Sequence, residues 1–141
     1  MNIWFKSELK DFVLEKQEEI KSWLVQVVEE EGKKVKEIGY IFVGNERILN
    51  INKEFLAHNY LTDIITFDNS YLSLLEAEIF ICIPIVKDNA VKNSNYDFER
   101  ELFRVIVHGV LHLIGYQDKS SAEKRVMRKM EDHYLAKLFM L

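Results

Sequence analysis

The apolar residues of this chain follow two rhythms, and together they call for helices packed on a sheet. In long stretches they recur every three or four positions, as on a helix with one buried face. In short β-branched and aromatic runs they alternate or crowd together, as in strands. Leu9, Phe12, Val13, Ile20, Leu24, Val27 and Val28 mark an amphipathic helix from about Glu8 to Glu31, ended by Gly32. A second, short helix runs from Glu46 to about Ala57, a third spans Ile85–Lys92 and a fourth Phe98–Ile114. Ser120 and Glu123 have the spacing of a capping box and open a fifth, to about Phe139. Strands are expected at Asn2–Lys6, Glu37–Val43, Ile64–Phe67 and Glu78–Pro84, with Pro84 marking the exit from the last. The expectation is an α+β fold, a single small mixed β-sheet of about four strands packed with about five helices.

Composition agrees with one domain over residues 1–141. Of 141 residues, 48% are apolar and 12% aromatic, enough for a packed core and unlike a disordered chain. With five glycines and one proline there is no long linker. The opening MNIWFKSELKDF lacks the basic and apolar regions of a signal peptide. No run approaches the roughly 20 apolar residues of a membrane span. A cytoplasmic protein without membrane contact is expected. The lone Cys82 lies in an apolar run and reads as a small buried side chain. Net charge is −4, unevenly spread. Residues 1–83 carry 9 basic and 15 acidic side chains, a balance of −6, and residues 84–141 carry 10 and 8, a balance of +2. A phosphate-binding surface would draw on the second half, where Lys124, Arg125, Arg128 and Lys129 cluster; a solvated helix face is the plainer reading of those four.

Chemistry concentrates in Val107–Asp118. His108 and His112 lie four apart on the fourth helix, so both imidazoles leave the same face and suit one metal ion. Gly115 provides a helix-ending turn, after which Asp118 can return a carboxylate toward the pair. Two neutral imidazoles and a carboxylate suit a zinc-like ion with a fourth position open to water. Iron is the chemical competitor, since the same donors describe a facial triad. A zinc peptidase helix would carry Glu directly after the first histidine, and here that residue is Gly109, so the general base of such an enzyme is missing.

Taken whole, HGVLHLIGYQD resembles the signature of the YbeY family of bacterial endoribonucleases and rRNA maturation factors, His-Gly-x-Leu-His-Leu-x-Gly-Tyr-Asp-His. His108 and His112 match its first two zinc ligands, Asp118 stands at the third and Gln117 replaces the preceding Asp. Upstream, Asn52, Phe55 and Thr62-Asp63-Ile64-Ile65-Thr66-Phe67 are similar to the segment ending Thr-Asp-Val-Leu-Ser-Phe, and Glu78-Ile79-Phe80-Ile81 to the strand after it. Met130, Glu131 and Leu135 fit the last helix. The family's Arg after the aromatic residue, implicated in RNA handling, is Leu56 here. Arg104, one turn before His108, would supply a cation on the same face; an ion-paired surface Arg is the plainer alternative. His58 occupies a position often basic in the family and would touch phosphate.

The resemblance implies a zinc-dependent endoribonuclease, with one zinc per chain activating the nucleophile or the phosphoryl group. It would act in 16S rRNA 3′-end processing and ribosome quality control. His108, His112 and Asp118 would be both ligands and catalytic residues, joined in catalysis by Arg104. The partners would be rRNA of the small ribosomal subunit, with ribosomal proteins or assembly GTPases. Thr62, Asp63, Thr66 and Asp68 would line the cleft, although turn and edge-strand chemistry also accounts for them. Glu131 would orient a ligand histidine, or be an ordinary exposed helical Glu, and His133 reads as a partly exposed helix residue. Two other classes remain open: a non-catalytic ribosome-assembly factor with a structural metal, and a peptidase-like hydrolase, which Gly109 disfavours.

Overall fold

The computed structural model describes residues 2–139. Among them are four strands, β1 (Asn2–Ser7), β2 (Lys34–Val43), β3 (Ile64–Asp68) and β4 (Leu74–Cys82). Five helices accompany them: α1 (Gln17–Glu30), α2 (Asn45–Leu56), α3 (Ile83–Asn93), α4 (Phe98–Ile114) and α5 (Ser121–Phe139). The strands form one mixed sheet in the order β1-β2-β4-β3. β2 pairs in parallel with β1 and β4, and β3 runs antiparallel along β4 at the edge. The expected α+β class is therefore observed. No helix among the described residues is long and apolar enough to cross a membrane.

Alternation along the strands sends side chains to both faces, and helices cover each. Ile38, Tyr40 and Phe42 of β2 join Ile79 and Ile81 of β4 in the larger core, with residues of α1, α3, α4 and α5. Ile41, Val43, Phe80 and Cys82 point the other way, against Ile48 and Ile51 of α2. Cys82 is buried, as its apolar context indicated. Inside the larger core, Tyr40 donates its hydroxyl hydrogen to the Ile106 carbonyl (2.7 Å) and Trp23 its indole N–H to the Tyr134 carbonyl (2.8 Å). These bonds fasten α4 to the sheet and α5 to α1. Burial also pushes the Tyr40 hydroxyl far above its ordinary pKa, so it remains a donor.

Several boundaries differ from the sequence expectation. The first helix begins at Gln17, not Glu8. Glu8 N–H still bonds the Phe42 carbonyl (2.9 Å), extending the strand pairing, and Lys16 in the left-handed region (φ 57°) separates this stretch from the helix. Phe12 reaches the core from the intervening segment by packing on Phe42 and Phe98, so its spacing mimicked a helix. Val13 on the same segment is 69% exposed. β2 and β4 both start earlier than expected, because Lys34 pairs with Leu74 and Val35 with Leu75. Pro84 lies in the first turn of α3, where its missing N–H leaves no helical bond unmade.

The Tyr40 bond gives a direct test. Tyr40→Phe keeps the ring and removes one buried hydrogen bond, and should lower stability by about 1 kcal/mol in a denaturant titration. The Ile106 carbonyl keeps its place in the α4 ladder, which is why the loss should be no larger.

Candidate metal centre

α4 carries its polar residues as one stripe. Glu101, Arg104, His108 and His112 follow at steps of three, four and four, so one helix face presents them in line. The helix starts under control, with Asp97 accepting from the Arg100 N–H (3.0 Å). It ends at Gly115, whose φ of 129° no L side chain adopts without strain, with Gly115 N–H shared between the Leu111 and His112 carbonyls (3.1 Å each). That reversal returns Asp118 to the histidines. Its Oδ2 lies 3.3 Å from His108 Nε2 and its Oδ1 3.6 Å from His112 Nε2. One donor atom from each of the three residues fits within 4.8 Å of the others, which is the geometry of a candidate metal site.

Each imidazole is held by its other nitrogen. His108 Nδ1–H donates to Glu131 Oε2 (2.6 Å) and His112 Nδ1–H to the Tyr116 carbonyl (2.9 Å). With both Nδ1 atoms facing oxygen acceptors, the two Nε2 atoms are left to face Asp118. Glu131, on α5, is buried and not an exposed helical acid. Its second oxygen accepts from Arg104 Nη1 (3.1 Å). Arg104 also donates Nε–H to Glu101 Oε1 (3.1 Å) and Nη2–H to Glu101 Oε2. Glu101 is fully buried and accepts from the Ser94 hydroxyl as well (2.8 Å).

Electrostatics follow this wiring. Burial pushes the Glu131 carboxyl up, but the His108 hydrogen bond and the Arg104 charge outweigh it and hold the group below the usual range. Burial opposes the Arg104 charge, and the two carboxylates more than offset it, raising an already basic group. Asp63 differs. Burial raises its pKa, and the Arg104 charge opposes the rise. No side chain among the described residues donates a hydrogen bond to it.

These groups share a cleft of about 630 Å³ between α4, the start of β3 and the loop after α2. It gathers Arg104, His108, His112 and Asp118 with Thr62, Asp63, Thr66 and Asp68. Leu56, His58 and Gln117 line it too. His133 lies elsewhere, half exposed and 3.7 Å from Glu30. The basic cluster Lys124, Arg125, Arg128 and Lys129 lines a separate, shallow surface hollow with Asp132. The sequence reading had missed Glu101. Its signal was present, three residues before Arg104 on the face that His108 continues.

Gly109 faces the sheet. A Cβ there would lie 3.1 Å from both Ile64 Cδ1 and Ile79 Cδ1, so α4 approaches β3 and β4 closely at this point. A larger side chain at this position would have to displace both isoleucine tips. The residue next to the first histidine is thus a packing contact.

Arg104 lies between two buried carboxylates, and its removal strands both. Arg104→Ala should cost about 3–5 kcal/mol in chemical denaturation, and Arg104→Lys should recover little of it, because an ammonium cannot reproduce the forked contacts.

Comparison with known proteins places this geometry in context. The family model described as Endoribonuclease YbeY matches residues 3–139. The Endoribonuclease YbeY of Cytophaga hutchinsonii is 44% identical over 135 residues, covering 95% of this chain and 94% of that protein. That of Karelsulcia muelleri is 48% identical over 113 residues, covering 80% and 79%. A solution structure of a Thermotoga maritima protein superposes with a TM-score of 0.68 at 29% identity, covering 97% of this chain and 89% of that one.

Proposed function

Because this chain belongs to the YbeY family of endoribonucleases, we propose that it cuts RNA phosphodiester bonds in the cleft built on α4. The reading takes residues 1–141 as one hydrolase domain and puts its work in the cytoplasm, in rRNA maturation at the 16S 3′ end and in ribosome quality control. Small-subunit rRNA is the substrate, and ribosomal proteins or assembly GTPases are its company there. One zinc ion per chain is held by His108, His112 and Asp118. The observation that carries the reading is the convergence of these three donors with both imidazoles anchored through Nδ1.

The donor set fits the ion. Two neutral imidazoles and one carboxylate make a three-ligand site of the catalytic type, with a further position for water or substrate. When bound, zinc supplies Lewis acidity toward a phosphoryl oxygen or an attacking oxygen. The chain's own residues do the remaining work. Glu131 keeps the His108 ring turned so that Nε2 faces the cleft, and Arg104 acts at one remove by holding Glu131 in place. Gly109 rules out a base on the helix itself, and Asp63 takes that place from the neighbouring strand end. Its carboxylate lines the cleft without a side-chain hydrogen-bond donor among the described residues, and accepts the proton of the attacking oxygen.

Elemental mass spectrometry on untagged protein purified without chelator should find about one zinc per chain, and Asp118→Ala should lose most of it while keeping its thermal midpoint. Zinc-loaded wild type should cut RNA where the Asp118→Ala variant does not. Asp63→Asn should keep the zinc and lose cleavage by about 100-fold or more. A protein that takes up no zinc even after incubation sinks the metallonuclease reading. One that holds zinc and rRNA but never cuts is an assembly factor with a structural metal.

A further inference from the structure

The segment joining α2 to β3 carries an exposed aromatic pair at the mouth of the cleft. The rings of His58 and Tyr60 stack, with centroids 5.1 Å apart and planes inclined by 21°. The Tyr60 hydroxyl and His58 Nδ1 share a hydrogen bond (3.1 Å). Both residues line the cleft that holds His108 and Asp118. Tyr60 is 55% exposed, so the pair belongs to no core.

The segment is nevertheless held in place. Ala57, in the left-handed region (φ 55°), ends α2, and His58 N–H donates to the Asn52 carbonyl (3.0 Å). Asn52 is only 1% exposed, and its Nδ2 donates to the Tyr60 carbonyl (2.7 Å). A buried amide therefore supports an exposed ring, which presents a flat apolar surface at little further ordering cost on binding.

Charge shows why such a surface is needed. The cleft carries Asp63, Asp68 and Asp118, its Arg104 is bonded to two carboxylates, and the chain has a net charge of −4. Attraction for a polyanion is weak here, and counterion release adds little. Affinity beyond the metal's hold on phosphate therefore gains most from a contact that does not depend on phosphate. Stacking of bases on aromatic rings is that contact.

We propose that the His58–Tyr60 pair is a subsite for one unpaired nucleobase of the RNA, seated beside the phosphate presented to the His108–His112–Asp118 cluster. The proposal rests on the nuclease reading above and adds the place where the substrate's base is held. Tyr60 supplies the platform, His58 backs it, and Asn52 is a positioning residue that fixes the backbone of both.

The test uses zinc-loaded protein and a short single-stranded oligonucleotide with 2′-O-methyl riboses, followed by fluorescence anisotropy. A series replaces one base at a time with an abasic sugar. Tyr60→Ala should weaken binding by about 5- to 100-fold, and Tyr60→Phe should retain most of it because the ring remains. At one position in the oligonucleotide the abasic sugar should weaken wild type by a similar factor and leave Tyr60→Ala unaffected. The Tyr60→Ala factor should hold steady between low and moderate salt, whereas a phosphate contact would fade. Equal binding by Tyr60→Ala and wild type, or independent effects of the abasic sugar and the substitution, overturns the subsite. Cleavage of unmodified RNA, assayed in parallel, keeps the two readings apart. A wild type that cuts, with Tyr60→Ala binding equally well, loses the subsite alone; a wild type that stacks a base and never cuts loses the nuclease alone.

Discussion

The guanidinium of Arg104 is the hinge on which the candidate site turns. It joins Glu101 of its own helix to Glu131 of α5, and both acids are buried. Buried carboxylates are tolerated only when paired, so the three groups stand or fall together. The pairing fixes the meeting of α4 and α5, and one oxygen of Glu131 remains for His108. An interaction that adds little net stability over apolar packing thereby specifies the direction of a functional ring. Without α5 at this distance, His108 would be a helix-surface histidine free to rotate.

A second constraint is how closely α4 lies on the sheet. Gly109 packs against Ile64 and Ile79, and Tyr40 reaches the helix backbone from β2. The contact brings the first residues of β3 beside the histidine stripe, which is how Asp63 comes to share a cleft with residues some 45 positions away. At the same contact, any side chain larger than that of Gly109 would displace the tips of both isoleucines.

How much of this could be read in the sequence depended on range. The histidine pair, the glycine reversal and the return of Asp118 were legible because they span eleven residues and obey local geometry. All four strands were legible, one from the alternation of Ile38, Tyr40 and Phe42 and others from β-branched and aromatic runs, but Pro84, expected at the end of the last strand, lies in the first turn of α3. The start of α1 was misread because Leu9 and Phe12 follow a three-residue spacing while packing from a non-helical segment. Glu131 was seen as a candidate, but its burial depends on a partner helix that no local rule reveals. Glu101 was missed because an acid on an amphipathic helix is ordinarily assigned to solvent, and only the pairing with Arg104 reverses that. His58 and Tyr60 lay two apart in a polar segment, and no sequence rule says that such rings stack.

The contrast in range has a consequence for assembly. The three donors lie within one short stretch of chain and are near neighbours as soon as α4 and its terminal turn form. The group that aims His108 arrives from 23 residues further on, with the last helix. Proximity of the donors is therefore set locally along the chain, whereas the aim of His108 depends on α5 being docked. A chain emerging from synthesis would hold all three donors before it could orient them. Competence of the centre is in this sense a report on completion of the fold.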